Sequence, residues 1–196
     1  RYKIKQISYM ANFKHLSSEE IQQMTFDWRY RGFTTLELLS EEECDEINEE
    51  LELLRQERSK TTKEGGEEWG EWDPFAYPHK ISPKLEKLFA HPKILEACEF
   101  LMEGDVVGLQ TWAYFKPPGQ LGRDMHQNAF YTGCGHNEII NTALALDNHD
   151  ELNGAVWNYE GSHRLPTLPI EVDEERTQTN PKFWRNERGK PCVMPE

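Results

Sequence analysis

In the first half of the chain, apolar residues recur three and four positions apart, which is the period of an amphipathic helix. Ser17 with Glu20 and Ser40 with Glu43 form two capping boxes, whose side chains accept the free N–H groups of a first helical turn. The first helix carries the apolar residues Ile21, Met24 and Trp28. The second has a longer stripe that is predicted to be buried: Cys44, Ile47, Leu51 and Leu54.

Glycine and proline mark the ends of these helices. Gly32 ends the first one, and residues 33–39 are predicted to form a short strand. Residues 61–78 form a Gly- and Glu-rich loop whose aromatic side chains fit two roles, a lid over a pocket or anchors that hold the loop to the body: Trp69, Trp72, Phe75 and Tyr77. Residues 82–104 predict two further helices with a break at Pro92.

In the second half of the chain the alternation changes to the period of two that a strand requires. One face of the first predicted strand is apolar, and the other carries polar and aromatic side chains suited to a ligand cavity: Gln110, Trp112, Tyr114 and Lys116. Residues 126–131 and 138–147 predict further strands, and Asn153 with Gly154 is the strongest hairpin signal in the chain. A last strand would begin at residues 192–194, where the sequence stops.

Helices followed by antiparallel strands predict a mainly β fold, a jelly roll or β-barrel buttressed by N-terminal helices. A chain of 196 residues fits one domain. Within this single domain, residues 1–104 are predicted to form a helical buttress with the lid loop, and residues 105–196 the strands of the jelly roll. Because half a jelly roll leaves open strand edges, we expect the fold to be incomplete at the C-terminus and the sequence to be a stretch of a longer protein.

The charge of the chain narrows the range of partners. With 22 basic and 35 acidic residues the net charge is −13, which argues against nucleic acid and anionic membranes and favours a small-molecule substrate. No apolar run approaches the ~20 residues that cross a bilayer, and no signal peptide opens the chain. The scattered cysteines predict reduced thiols and a cytoplasmic location: Cys44, Cys98, Cys134 and Cys192. No feature specifies an oligomeric state.

A Pro/Gly turn leads into His126, and Asn128 follows two residues later. His-x-Asn is close to His-x-Asp, the local signature of non-haem iron sites that hold the metal with two histidines and one carboxylate. On a strand, residues two apart share a face, so His126 and Asn128 would converge on one point. Asn offers a neutral amide oxygen where iron prefers an anion. The pattern therefore predicts a metal site with one weakened ligand.

Three motifs follow one another in the strand half: Lys-Pro-Pro-Gly at residues 116–119 leading into His-Gln-Asn-Ala-Phe-Tyr at 126–131, Ala-Leu-Asp-Asn at 145–148 with Asn-Gly at 153–154, and Gly-Ser-His-Arg at 161–164. In order and spacing they resemble the phytanoyl-CoA dioxygenase family of iron(II)/2-oxoglutarate oxygenases. The helical half is similar to the beginning of such proteins, so the resemblance covers most of the chain. It implies a double-stranded β-helix, which is a cupin-like jelly roll.

The resemblance also implies cofactors, Fe(II) and 2-oxoglutarate, and roles for individual residues. His126 would be the first iron ligand, and Asn128 stands where the family has its aspartate. Gln127 would contact 2-oxoglutarate, and Trp112 on the preceding strand would line the same pocket. Contacts with the substrate are expected from two aromatic residues, Tyr131 and Tyr114.

The sequence departs from the family in two respects. Asn128 replaces the carboxylate, and no histidine follows His163, so the late His ligand and the Arg that holds 2-oxoglutarate are missing. In this family the histidine of Gly-Ser-His caps a turn, so His163 is not the expected replacement. The remaining histidines are expected at the solvated surface: His15, His79, His91, His136 and His149.

Three interpretations of Asn128 follow. It is an inactivating change, a ligand through its amide oxygen, or a residue that leaves its place to an exogenous anion, as in related halogenases. The rival class is a catalytically inactive family member that acts as a scaffold for a small molecule or a partner. A cupin-like protein with another metal would need more His or Glu ligands than the predicted strands carry. We therefore expect an oxygenase for a small molecule whose activity Asn128 weakens or abolishes.

Overall fold

The computed structural model describes residues 14–61, 66, 68, 70, 72–119, 126–132, 134–135, 138–150 and 152–167, with the backbone alone at 130 and 131. None of the helices within these ranges is both long and apolar enough to span a membrane. The elements in chain order are α1 (Ser18–Tyr30), α2 (Glu41–Arg58), β1 (Phe75–Ala76), a 3-10 turn (Pro78–Lys80), α3 (Pro83–Phe89), α4 (Pro92–Met102), β2 (Trp112–Ala113), α5 (Asn128–Thr132) and a second 3-10 turn (Ser162–Arg164).

Both predicted capping boxes are confirmed. At α1 the Ser17 N–H donates to Glu20 Oε2 over 2.8 Å, and the Glu20 N–H donates to Ser17 Oγ over 3.2 Å. At α2 the corresponding bonds between Ser40 and Glu43 measure 2.9 and 3.2 Å. Each pair satisfies two N–H groups that have no partner inside the helix, which is why these short sequence signals define where the helices begin.

The chain divides into two compact units. The first consists of Arg1–Met24, Thr35–Gln120 and Ala143–Ala155, and the second of Thr25–Thr34, Leu121–Thr142 and Val156–Glu196. The single-domain prediction stays a prediction. Within the first unit, the predicted stripe of α2 faces a core, since Ile47 and Leu51 are buried and Cys44 and Leu54 are half-buried.

The first unit contains two hydrophobic clusters. One joins α1 to α4 and has Met24, fully buried, at its centre: Leu16, Ile21, Met24, Ala97 and Phe100, with Leu36 and Leu101 packed against them. The other joins α2, α3 and β2: Ile47, Leu51, Leu85 and Ala113, with Leu39, Leu54, Phe75, Leu88, Phe115 and Leu146 around them. Burial of these side chains is the main favourable contribution to the stability of the unit.

A lysine on α4 binds the N-terminal end of α1. The Lys93 ammonium pairs with the Glu20 carboxylate and donates to the Glu37 carbonyl over 3.0 Å. The hydrogen bond from Lys93, together with those from the Ser17 N–H and hydroxyl, lowers the pKa of Glu20 from 4.5 to about 2. The charged form of Glu20 is therefore favoured by the fold, and protonating it weakens the attachment of α1 to α4.

The loop between α2 and β1 is anchored to α2 by two arginines. The buried Arg58 donates to the Asp73 carbonyl over 2.6 Å and to the Pro74 carbonyl over 3.1 Å. Each guanidinium also lies over an aromatic ring, Arg55 at 4.8 Å from the centroid of Trp72 in the loop and Arg58 at 4.9 Å from that of Phe75 at the start of β1. For Trp72 and Phe75 these contacts favour the anchor interpretation over the lid. Trp69 lies outside the described residues.

The predicted mainly β class, with its jelly roll, is wrong for the described part of the chain. The sheet found there has two antiparallel strands of two residues each, with Phe75 opposite Ala113 and Ala76 opposite Trp112. Residues 33–39 and 138–147, both predicted to be strands, belong to no ladder. Alternation assigns the faces of a segment but does not supply the neighbouring strand that must pair with its N–H and C=O groups.

In the second unit, residues 160–164 close over the C-terminal end of α1; we refer to them as the α1 clasp. Arg164 donates to the Arg29 carbonyl over 2.7 Å, where the helix has carbonyls without partners of its own. The Gly161 N–H donates to the Arg31 carbonyl over 2.8 Å, and Arg31 Nε pairs with Glu160 at 2.8 Å. The Gly-Ser-His-Arg motif is thus part of a helix C-cap.

Gly32 is the point of closest approach between α1 and the clasp. Its φ of +87° lies in the left-handed region, and its N–H returns to the Asp27 carbonyl over 3.0 Å, which ends the helix as predicted. A Cβ built on Gly32 would come within 2.3 Å of His163 Nδ1. Glycine is therefore required at this position for two reasons: the backbone is left-handed, and the His163 ring leaves no room for a Cβ.

The Glu20→Gln variant is expected to unfold more easily than the wild-type chain at neutral pH, by about 0.5–1 kcal/mol, because a partly exposed ion pair is lost. A lowered carboxylate pKa contributes stability above the unfolded-state value, and this contribution disappears as the pH falls from 4.5 towards about 2. The free energies of unfolding of the two proteins, measured with urea, should therefore converge as the pH falls through that interval. The same change at the exposed neighbour, Glu19→Gln, is the control. If the free energy of unfolding of Glu20→Gln differed from that of the wild type by the same amount at every pH, the ion pair with Lys93 would not be the cause.

The Gly32→Ala variant is expected to lose about 1–2 kcal/mol from the left-handed backbone alone, and more from the clash with His163. The double variant Gly32→Ala/His163→Ala should regain the part of the lost free energy of unfolding that is due to the clash, but not the part that is due to the backbone. Urea unfolding of the wild type, both single variants and the double variant measures the coupling. Strict additivity of the two single effects would show that the ring does not restrict residue 32.

Candidate functional site

His126 and Gln127 precede a short helix and do not lie on a strand. In α5, the Thr132 hydroxyl donates to the carbonyls of Asn128 at 3.3 Å and Ala129 at 3.4 Å. Since no described segment pairs with this backbone as a β-neighbour, it satisfies its own groups within a helical turn. The predicted strand is wrong here, and the argument that His126 and Asn128 share a strand face falls with it. Their roles as ligands stay predictions.

Gln127 has a contact that the sequence did not indicate. Its side-chain amide donates to the Pro166 carbonyl over 3.2 Å, within the second unit, so the half-buried His126–Asn128 segment is tied to the residues that follow the α1 clasp. The contact of Gln127 with 2-oxoglutarate stays a prediction. The side chain of Tyr131 lies outside the described residues, and so does the predicted substrate contact.

The donor chemistry of His126 and Asn128 fits two positions of an iron site. A neutral imidazole nitrogen and an amide oxygen both bind Fe(II), the amide more weakly than a carboxylate. Among the residues that the structure describes, no three His, Cys, Asp or Glu side chains form a group that could hold a metal ion. His126 and Asn128 would supply two of the ligands of such a site, and no group of that kind within the described ranges completes it.

Trp112 and Tyr114, in the first unit, form what we call the aromatic face. Their rings are parallel within 12° with centroids 6.2 Å apart, and they are 44% and 45% exposed. Ala113 and Phe115 point the other way and pack in the core, so the predicted alternation is confirmed here. Exposed rings on a segment whose other face packs in the core suit a ligand-binding surface. The specific roles of Trp112 and Tyr114 stay predictions.

Two histidines expected to be solvated have structural contacts. His79 is half-buried and shares a hydrogen bond with the Thr111 hydroxyl. His91 caps α4, with Nδ1 accepting the Lys93 N–H over 3.2 Å, a role that its place directly before Pro92 indicates. The buried Nδ1 of His163 faces Gly32 in the α1 clasp. His15 and His149 are exposed as expected, and His136 lies outside the described residues.

Two of the described cysteines lie in surroundings that disfavour a reactive thiolate. Cys44, Cys98 and Cys134 are free, and Cys98 is buried in α4. Burial raises the pKa of the Cys98 thiol, and burial with nearby carboxylates raises that of Cys44, so both disfavour the reactive thiolate. Cys192 lies outside the described residues. Cys44 and Cys98 are therefore poor nucleophiles.

Comparison with known proteins gives one result that bears on function. The family model described as phytanoyl-CoA dioxygenase (PhyH) matches residues 28–195, a span that includes residues 126–128 and the α1 clasp. No curated protein matches the chain, and no solved structure does. Because the matched span is well over half of the sequence, the chain belongs to the phytanoyl-CoA dioxygenase family.

Proposed function

We propose that this protein is an iron(II)/2-oxoglutarate-dependent oxygenase that acts on a small molecule, with its affinity for iron lowered by Asn128. The observation that carries the proposal is the family match across residues 28–195, within which His-x-Asn occupies residues 126–128. His126 and Asn128 would hold the metal. Gln127 of the same segment would contact 2-oxoglutarate, and Tyr131 the substrate.

Asn128 is the residue that decides how well the site works. When bound, iron with 2-oxoglutarate would supply the chemistry that converts dioxygen into an oxidant, and the protein would supply ligands and position. An amide at residue 128 leaves one negative charge fewer beside a dication, and charges a few ångströms apart interact strongly where water is excluded. We therefore expect weak iron binding through the His126 imidazole and the Asn128 amide oxygen, and low turnover.

The substrate in this proposal is a freely diffusing small molecule. The net charge of −13 repels polyanions, which makes nucleic acid and anionic membranes poor partners. The exposed rings of Trp112 and Tyr114 provide apolar surface for a ligand. A cytoplasmic location belongs to the same proposal and is supported by the free thiols of Cys44, Cys98 and Cys134, since disulfides persist mainly in oxidising compartments.

A second candidate function is a catalytically inactive family member that binds a small molecule or a partner. One observation favours it: the neutral side chain of Asn128, which stands where the family has its aspartate. The two classes make different predictions about succinate. Only an oxygenase releases it from 2-oxoglutarate.

The Asn128→Asp variant is expected to bind Fe(II) about tenfold more tightly than the wild-type chain, or better, because the restored carboxylate compensates the charge of the metal. Calorimetric titration with Fe(II) under nitrogen, in the presence of 2-oxoglutarate, measures the affinity. Succinate release in air should rise in parallel.

His126→Ala in the same background provides the control and should remove the gain. Equal iron affinity of the wild type and Asn128→Asp would show that residue 128 is not at the metal. Succinate release by neither the wild type nor Asn128→Asp, with iron bound to both, would favour the scaffold.

A further inference from the structure

Two of the sequence motifs meet in the first unit, at a contact that the proposed function does not use. Lys116, the first residue of Lys-Pro-Pro-Gly, donates from Nζ to the Gly154 carbonyl over 3.2 Å. Gly154 belongs to the Asn-Gly turn and has a φ of +95°, in the left-handed region. A Cβ built on Gly154 would come within 2.8 Å of Lys116 Cδ. Glycine at residue 154 therefore leaves the space in which the lysine side chain lies.

The turn that accepts this hydrogen bond is itself held by hydrogen bonds. The Ala155 N–H donates to the Asp150 carbonyl over 3.2 Å, and the Asp150 N–H donates to Asn153 Oδ1 over 2.8 Å. Asp150 Oδ1 accepts the N–H groups of Leu152 at 2.8 Å and Asn153 at 3.0 Å. The Asp150 carboxylate thus binds the backbone of the turn, and the group that the turn offers to the Lys116 ammonium is a neutral carbonyl.

Lys116 lies at the end of the aromatic face. Trp112, Tyr114 and Lys116 are exposed, whereas Ala113 and Phe115 between them pack in the core. The three exposed side chains therefore share the outer side of the segment. Residues two apart on extended backbone are about 7 Å apart, so the lysine follows the Tyr114 ring at the distance of a substituent on a bound ring. All five residues belong to the first unit.

The charge of the lysine and the shape of the rings specify different parts of a ligand. The Gly154 carbonyl accepts one of the three N–H groups of Lys116 and brings no negative charge to it. The net charge of −13 repels anions in general, so an anion needs a local cation of this kind to bind. The rings of Trp112 and Tyr114, parallel within 12°, offer stacking surface to a planar apolar group.

We propose that the aromatic face and Lys116 together bind a small aromatic carboxylate. The ring of the ligand stacks on Trp112 and Tyr114, and its carboxylate accepts a hydrogen bond from the Lys116 ammonium. The Asn-Gly turn acts as the support of the lysine side chain. Because every residue of this site lies in the first unit, the inference does not depend on iron or on residues 126–128.

The first experiment tests the chemistry of the ligand. The probe is 2-naphthoate, titrated calorimetrically into the full chain without metal. Its neutral analogue 2-naphthamide keeps the rings and lacks the charge, and cyclohexanecarboxylate keeps the charge and lacks a planar ring. We expect 2-naphthoate to bind more tightly than either analogue. Absence of 2-naphthoate binding, or an affinity for it no higher than that for either analogue, would overturn the proposal.

The second experiment tests the residues. Lys116→Met keeps the aliphatic stem and should weaken 2-naphthoate binding about two- to fivefold, the worth of an exposed ion pair, while 2-naphthamide binding stays the same. Lys116→Arg should restore most of the affinity. Trp112→Ala should weaken the binding of both probes about fivefold or more. The matched control is Lys87→Met, the same change at an exposed lysine of α3 in the first unit, which should have no effect.

Salt separates a bound charge from a purely structural lysine. Raising the ionic strength from about 0.01 M to about 1 M should weaken 2-naphthoate binding by the wild type and by Lys87→Met, and Lys116→Met should lose this dependence. If Lys116 served only to hold the turn, Lys116→Met would weaken the binding of 2-naphthoate and 2-naphthamide equally. That result would overturn the proposal, as would equal losses of 2-naphthoate affinity in Lys116→Met and Lys87→Met.

Discussion

Every buried backbone N–H and C=O group needs a hydrogen-bond partner, and this requirement determines which elements the chain forms. Helices meet that need within one segment, and side chains complete it at their ends, as Ser17 and Ser40 do at the starts of α1 and α2. Arg164 does the same for the carbonyls at the end of α1. A strand finds partners for its backbone groups only in a neighbouring strand. Within the described ranges, the two dipeptides of β1 and β2 pair in this way.

This difference explains what could be predicted from sequence. Capping boxes, the Gly32 stop and the buried stripe of α2 are local signals, and all three are confirmed. Strand pairing is not local: residues 105–116 alternate throughout, yet Val107 and Leu109 are exposed and the pattern holds only beside β1. The partner of β2 comes from the loop before α3, which had no strand signal. The contact between His79 and Thr111 spans 32 residues and has no signature in either segment.

The candidate site shows the same limit. Sequence reasoning selected residues 126–128 by motif, and the family match includes them. It could not foresee that this segment begins a helix or that Gln127 would bind the Pro166 carbonyl, because both depend on which neighbours reach the segment. The chemistry of Asn128, by contrast, follows from the identity of one side chain and does not depend on the fold. Membership of the family is therefore better established than the geometry of the metal ligands.

Arg58 fastens both ends of the loop between α2 and β1. Its carbonyl accepts the Thr61 N–H at 2.9 Å and the Thr61 hydroxyl at 2.8 Å, while its guanidinium holds the Asp73 carbonyl at 2.6 Å. With the two ends closed on one residue, doubling the number of residues between them adds only about 0.6 kcal/mol of chain entropy. An insertion between Thr61 and Asp73 would therefore cost little chain entropy, and the contacts of Arg58 with these two residues lie outside it.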